Sequence, residues 1–173
     1  GATITQLAFQ EESDFHLMGA GYRSHAVYVV APAPNSRLGA GLHSSVDDGQ
    51  TWQPRAAAGL AGEPIQLTVH PADPATLAFA TANGLYHSND SGDSFTRVGE
   101  AAAVTMAAFD ANGSLYFGYQ SLFRYDPATG DVLPWVIDRE RGFQVGTLTA
   151  TPDGLWIGSD SSRLGGEWHP RVA

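Results

Sequence analysis

The feature that most restricts what this chain can fold into is a repeat of about forty residues. Its clearest unit runs from Ile65 to Val98. Ile65-Gln66-Leu67-Thr68-Val69 alternates and is β-branched, as a strand requires. His70 to Ala75 carries two prolines and must turn. Leu77 to Thr81 is a second strand, Asn83-Gly84 a tight hairpin signal, and Leu85-Tyr86-His87 a third strand. Ser88 to Asp93 is a polar, glycine-containing loop before a fourth strand, Ser94 to Val98. Four short antiparallel strands per repeat describe one blade of a β-propeller.

The pattern recurs. Val104 lies 39 positions after Ile65, Leu115 lies 38 after Leu77, and Leu122 lies 37 after Leu85. A later unit opens at Val145–Thr149 and continues with Leu155–Gly158, its Leu155 being 40 positions after Leu115. Upstream, Ile4 to Phe9 opens an expanded unit that continues through Ala26–Val30 and Gly41–Ser44, with an insertion from Ala31 to Ala40. The spacing predicts an all-β propeller of about four blades, near residues 2–57, 58–99, 100–138 and 139–173, forming a single segment. A helix over the alanine-rich Arg55–Leu60 is rejected, because Pro54 and Gly59 leave it too short.

Two octapeptides share one pattern. Ser45-Val46-Asp47-Asp48-Gly49-Gln50-Thr51-Trp52 reads S-x-D-x-G-x-T-W in full, and Ser88-Asn89-Asp90-Ser91-Gly92-Asp93-Ser94-Phe95 departs from it only by Ser94 and Phe95. They lie 43 residues apart, one blade period. Each residue type has a folding role. The short carboxylates of Asp47 and Asp90 accept loop N–H groups. Gly49 and Gly92 supply positive φ. Ser45 and Ser88 add a hydroxyl bond across the loop. Trp52 and Phe95 lock the loop onto packing between blades. A calcium loop would need about 6–8 oxygen ligands, more than either octapeptide offers.

These octapeptides match the Asp-box pattern, and the chain resembles the Asp-box (BNR-repeat) propellers, which include sialidases, sortilin ectodomains, xyloglucan-cleaving endoglucanases and the photosystem II stability/assembly factor. The run from Val69 to Thr81, followed by Gly84-Leu85-Tyr86-His87-Ser88, is similar to the blade text of that superfamily. Asp14-Phe15-His16 is comparable to an element of exported bacterial BNR-repeat proteins described as sialidase-like or as glycosyl hydrolases. The resemblance covers residues 2–99 well and 100–173 loosely, since later boxes (Asp126 to Asp131, Ser159 to Trp168) have decayed. A shared propeller fold does not itself carry shared chemistry.

The sialidase resemblance implies three arginines gripping a substrate carboxylate, a Tyr/Glu nucleophile pair and an Asp acid/base. Bidentate guanidinium groups suit that grip, but none of the nine arginines stands in an Arg-Ile-Pro type of context, and Arg97 falls on an outer strand. A glycosidase needs two facing carboxyl groups about 5 to 9.5 Å apart. Glu12 and Asp14 are the catalytic candidates outside the octapeptides, with Glu11, Asp138 and Glu140 as further acidic groups; all also read as solvated loop residues. Asp14, His16 and His25 could supply oxygen and imidazole ligands to a metal. His43 and His87 read as structural residues at one shared blade position, and His70 as a turn residue. Tyr116, Phe117, Tyr119, Phe123 and Tyr125 form an aromatic stretch, read as inter-blade packing before a carbohydrate platform.

Composition removes several function classes. Eighteen acidic residues stand against nine basic ones, all arginine, giving a net charge of −9. That sign opposes phosphate backbones and anionic membranes, so no nucleic-acid partner is expected. There is no cysteine, hence no disulfide framework or thiolate metal site. No apolar run approaches a membrane span, and Gly1-Ala2-Thr3 has no signal-peptide character. No cofactor is expected, because no Gly-rich phosphate loop, nucleophile elbow or His-Glu-x-x-His occurs.

Propellers close with about 4–8 blades, so a four-bladed segment belongs to a longer ring, self-associates to complete one, or stands alone. The expectation favoured is a non-catalytic, secreted or periplasmic propeller that binds a protein or carbohydrate partner. The alternatives are a glycoside hydrolase of sialidase-like fold and a metal-handling periplasmic propeller.

Overall fold

A computed structural model describes residues 9, 12–119, 121–135, 145–151, 154–159 and 169–170. The described residues are all β and turn, with no helix. The first sheet holds β1 (Met18–Ala20), β2 (Val27–Ala31), β3 (Gly41–Ser45) and β4 (Gln53–Pro54). The second holds β5 (Pro64–Val69), β6 (Leu77–Thr81), β7 (Gly84–Ser88) and β8 (Thr96–Val98). The third holds β9 (Met106–Phe109), β10 (Leu115–Gly118), β11 (Leu122–Tyr125) and β12 (Val132–Trp135). The fourth pairs β13 (Val145–Thr151), β14 (Gly154–Ser159) and β15 (His169–Pro170).

Every sheet is an antiparallel meander in chain order. The first strands meet in succession: β1 lies against β5, β5 against β9, and β9 against β13. Sheets fanned with their first strands innermost are blades around an axis, and the chain has a β-propeller fold.

The apolar sequence pattern explains the junctions. Alternate residues of a strand face opposite sides of the sheet. Leu67, Val69, Leu77, Phe79, Tyr86 and Phe95 of the second sheet pack with Ala26, Tyr28 and Leu42 of the first. Ala78, Ala80, Leu85 and Val98, on the opposite face, pack with Ala107, Phe109, Leu115 and Phe117 of the third. Strand β6 is therefore buried at all five positions, being sandwiched on both sides. Gly19 of β1 makes the inner contact possible, since a Cβ there would sit 2.8 Å from Val69 Cγ2. Where the third sheet begins, Gln66 Oε1 accepts the Ala107 N–H at 2.8 Å and so ties two inner strands together.

Of three sequence expectations, the second is changed. Residues 4–8, placed in the opening strand of the first unit, lie outside the described residues. Among the described residues Met18–Ala20 holds the innermost position of that sheet. Second, His43 and His87 do not share a blade position. Ser45 pairs with Val27 and Ser88 with Leu77, so aligning the two serines sets His43 level with Tyr86 and His87 level with Ser44. A one-residue offset puts a side chain on the other face: His43 lies level with Val29, whereas His87 lies level with Ala78. Third, Trp52 takes the side of its sheet that Phe95 takes in the next, but its described neighbours belong to the first sheet and to the segment before it. It joins Val29, Ala31 and Leu38 together with Phe9 and Phe15, which cover the first sheet on the face turned away from the second. Phe9 and Phe15 meet edge to face at 5.3 Å, and Phe9 meets Trp52 at 5.8 Å.

Candidate functional site

Both octapeptides lie at the bend between the last two strands of their sheets, where a reversal leaves backbone donors without ladder partners. In the first, Ser45 Oγ donates to Asp47 Oδ1 at 2.7 Å and accepts the Gly49 N–H at 2.8 Å. Asp47 Oδ1 also accepts the Gln50 and Thr51 amides at 3.1 and 2.9 Å, while its Oδ2 takes the Thr51 hydroxyl at 2.7 Å. Trp52 Nε1 closes the loop on the Gly49 carbonyl at 3.0 Å. The second loop repeats the scheme: Ser88 Oγ donates to Asp90 Oδ1 at 2.8 Å and accepts the Gly92 N–H at 3.0 Å. Asp90 takes the Ser94 amide at 2.9 Å and the Ser94 hydroxyl. Gly49 and Gly92 have φ of 83° and 87°, which the bend requires and a side chain would resist.

The second loop is also a blade fastener. The connector after β4 runs beside it: Ala57 and Ala58 amides donate to the Gly92 and Asp93 carbonyls, both at 3.0 Å, and the Phe95 amide returns to Ala58 O at 2.8 Å. Arg55 spans the same joint, with Nε donating to Ser44 Oγ at 2.8 Å and Nη1 3.3 Å from Asp93 Oδ2. Phe95 then seats in the core 5.4 Å from Phe79.

These bonds set the acidity of the two aspartates. Thr51, through its backbone, then Ser45 and the Thr51 hydroxyl hold Asp47 down to about 2, from an ordinary 3.8. The Ser94 hydroxyl and amide, followed by Ser88, hold Asp90 down to about 2 as well. Both carboxylates remain charged at neutral pH and are occupied as acceptors.

The other candidates are dispersed. Glu12 Oε2 accepts the Ser36 N–H at 3.0 Å, and the hydrogen bonds of Ser36 hold its carboxyl below the ordinary range. With the Asn35–Ser13 bond at 2.8 Å, this ties the segment before β1 to the 32–40 loop. Asp14 stands 3.4 Å from His16, both side chains more than four-fifths exposed. His25 pairs instead with Asp48 of the first octapeptide at 3.1 Å. Asp14, His16 and His25 are thus not gathered into one donor set, and no group of three or more metal-ligating side chains occurs among the described residues. Glu11, Asp138 and Glu140 lie outside the described residues. Arg97, on β8, donates to the Asn83 and Ala101 carbonyls at 3.2 and 3.1 Å.

The aromatic stretch is divided by the pleat. Phe117 stacks on Phe123 at 5.5 Å, Tyr116 meets Trp135 at 4.7 Å, and Tyr125 meets His87 at 5.4 Å. Tyr119 is half exposed. Sequence reasoning missed the turn His70–Thr76 as a structural hub. His70 Nδ1 accepts the Ala72 and Asp73 amides at 3.2 and 2.8 Å, and Tyr28 OH donates to Pro74 O at 2.6 Å. The proline pair marked this turn, but contacts reaching from neighbouring blades leave no local signal.

No protein-family model matches the chain, and no curated protein matches it. Solved structures do. YCF48 from Cyanidioschyzon merolae is similar over 93% of this chain and 55% of its own, at 13% identity and a TM-score of 0.58. YCF48 bound to D1 peptide gives 90% and 49% coverage, 16% identity and a TM-score of 0.53. PorZ, a bacterial surface component of the type-IX secretion system of Porphyromonas gingivalis, gives 95% and 26%, 19% identity and a TM-score of 0.60. A GH74 enzyme of Niastella koreensis gives 82% and 25%, 17% identity and a TM-score of 0.56. The chain spans about half the length of the YCF48 chains and about a quarter of the other two. At these identities the likeness shows the fold alone: the chain folds as β-propeller blades, the architecture of all these proteins.

Proposed function

We propose that this chain is the Asp-box portion of a non-catalytic, exported propeller that binds a protein or glycan partner through its blade loops or axial face. One observation carries the reading: among the described residues, the carboxyl groups whose acidity the fold alters are all pulled down and used as acceptors. Glu12, Asp47 and Asp90 are lowered by hydrogen bonds, and Asp73 is lowered although burial acts the other way, because Thr76 and the Ala75 amide outweigh it. A glycosidase acid needs the opposite environment, one that raises its pKa. The peptide bound to YCF48 supports a peptide-type partner, and the net charge of −9 favours a neutral or cationic one.

The second reading, a glycoside hydrolase, is favoured by the likeness to GH74 enzymes alone. The chain, assayed on fluorogenic glycosides including a sialoside and on xyloglucan, is expected to release nothing above background. Clear turnover abolished by Asp14→Asn or Glu12→Gln would overturn the binding reading.

A further inference from the structure

The turn between β5 and β6 reaches the sheets on both sides of its own. Toward the first sheet, the Pro71 carbonyl accepts the Arg23 amide at 2.8 Å and the Pro74 carbonyl accepts Tyr28 OH at 2.6 Å. Toward the second octapeptide, the Ala75 carbonyl accepts the Ser91 amide at 2.8 Å. Toward the third sheet, the His70 ring stands edge-on to Phe109 at 5.3 Å, and its Nε2 edge fills the space over Gly113, where a Cβ would sit 2.3 Å from it. The turn keeps its shape through His70 itself, whose Nδ1 accepts both the Ala72 and Asp73 amides.

Two N–H groups converging on Nδ1 require a lone pair there. The neutral ring must therefore carry its proton on Nε2. A second proton would go to Nδ1, the atom facing both amides, and would turn an acceptor into a donor among donors.

We propose that His70 is a pH-sensitive latch: its neutral form holds the 70–76 turn in the shape that joins the first three blades, and protonation releases it. The groups facing it are Asp73 on the turn, Asp110 on the third sheet and His87 on β7. Burial opposes the charged ring, while Asp73 and Asp110 favour it, and the balance holds His70 below its ordinary value. His87 behaves alike. Burial, then His70, lower it against the pull of Asp73, and its Nε2 is buried without a partner among the described residues. Both rings thus resist protonation in the closed state.

The open turn binds a proton at the ordinary 6.5 and the closed turn only at lower pH. Closure is therefore fully favoured above that value and weakens as pH falls toward the closed-state pKa. Between the two, one extra proton in the open form costs about a tenfold loss of protection per pH unit.

The test is nitrogen-15 imidazole NMR with amide exchange on the wild-type chain, from about pH 7.5 to about pH 5. The expected result is an Nε2–H His70 titrating below 6.5, with the protection of the Arg23 and Ser91 amides falling over the same interval and that of Phe117 unchanged. His70→Asn, whose amide oxygen can accept from the turn without titrating, should remove the pH response, and His87→Phe should leave it. A His70 midpoint at or above 6.5, a proton on Nδ1 at neutral pH, pH-invariant protection of the two amides, or loss of the response with His87→Phe would overturn the proposal.

Discussion

The Ser88 hydroxyl stands 2.8 Å from Asp90 Oδ1 while accepting the Gly92 N–H at 3.0 Å, so one side chain bonds both the carboxylate and the backbone of its loop. Ser45 holds the same relation to Asp47 and Gly49, at 2.7 and 2.8 Å. Neither aspartate has a free oxygen to offer to chemistry, since each Oδ2 takes a further hydroxyl from Thr51 or Ser94.

Acid should loosen both loops. Their carboxyls sit at about 2 in the fold against an ordinary 3.8. A depressed carboxyl contributes its full stability above the ordinary value and loses it as pH falls toward the folded one. Urea midpoints measured between about pH 5 and about pH 2 should fall with pH, and Asp47→Asn with Asp90→Asn should flatten the lower part of that curve. Asp90→Ala at neutral pH should cost about 1 kcal/mol, because the freed donors are largely solvent-accessible. A curve that the double variant leaves unchanged would assign the acid sensitivity elsewhere.

The two closing aromatics should differ. Phe95 is 6% exposed among Phe79, Tyr28 and Leu77, so Phe95→Ala should cost about 3–5 kcal/mol. Trp52 is only half-buried, against Phe9 and Phe15, and Trp52→Ala should cost clearly less. Equilibrium denaturation of the two variants compares them directly, and equal losses would contradict the packing.

Gly92→Ala should destabilise by about 1–2 kcal/mol, through its positive φ and a Cβ placed 2.6 Å from Leu42 Cδ2. Gly39→Ala meets nothing within 4 Å and should be neutral or stabilising by about 0.4–1 kcal/mol. Thermal unfolding of both chains separates the backbone effect from the loss of a glycine as such.

Gln66→Leu keeps the strand but removes the acceptor of the buried Ala107 amide. The expected cost is about 1–3 kcal/mol, with faster exchange at Ala107. Unaltered exchange there would show that the 2.8 Å bond contributes nothing to the joint.

What the sequence determined was local. Strand periodicity, the Asn83-Gly84 hairpin and the serine–aspartate–glycine spacing act within a few residues, and they specified four-stranded sheets in chain order and the bends where the two octapeptides lie. Tertiary structure decided which residue meets which. The register separated His43 from His87 by one position and hence by a whole face, which residue names in a loose alignment do not reveal. Packing sent Phe95 into a junction between blades but left Trp52 against Phe9 and Phe15. It also made Glu12 a partner of Ser36, kept Asp14 away from His25, and turned His70 from a turn residue into a contact among three sheets. The physical reason is range: a hairpin is written in adjacent residues, whereas a junction depends on side chains some forty positions apart meeting across a gap that only the assembled fan creates.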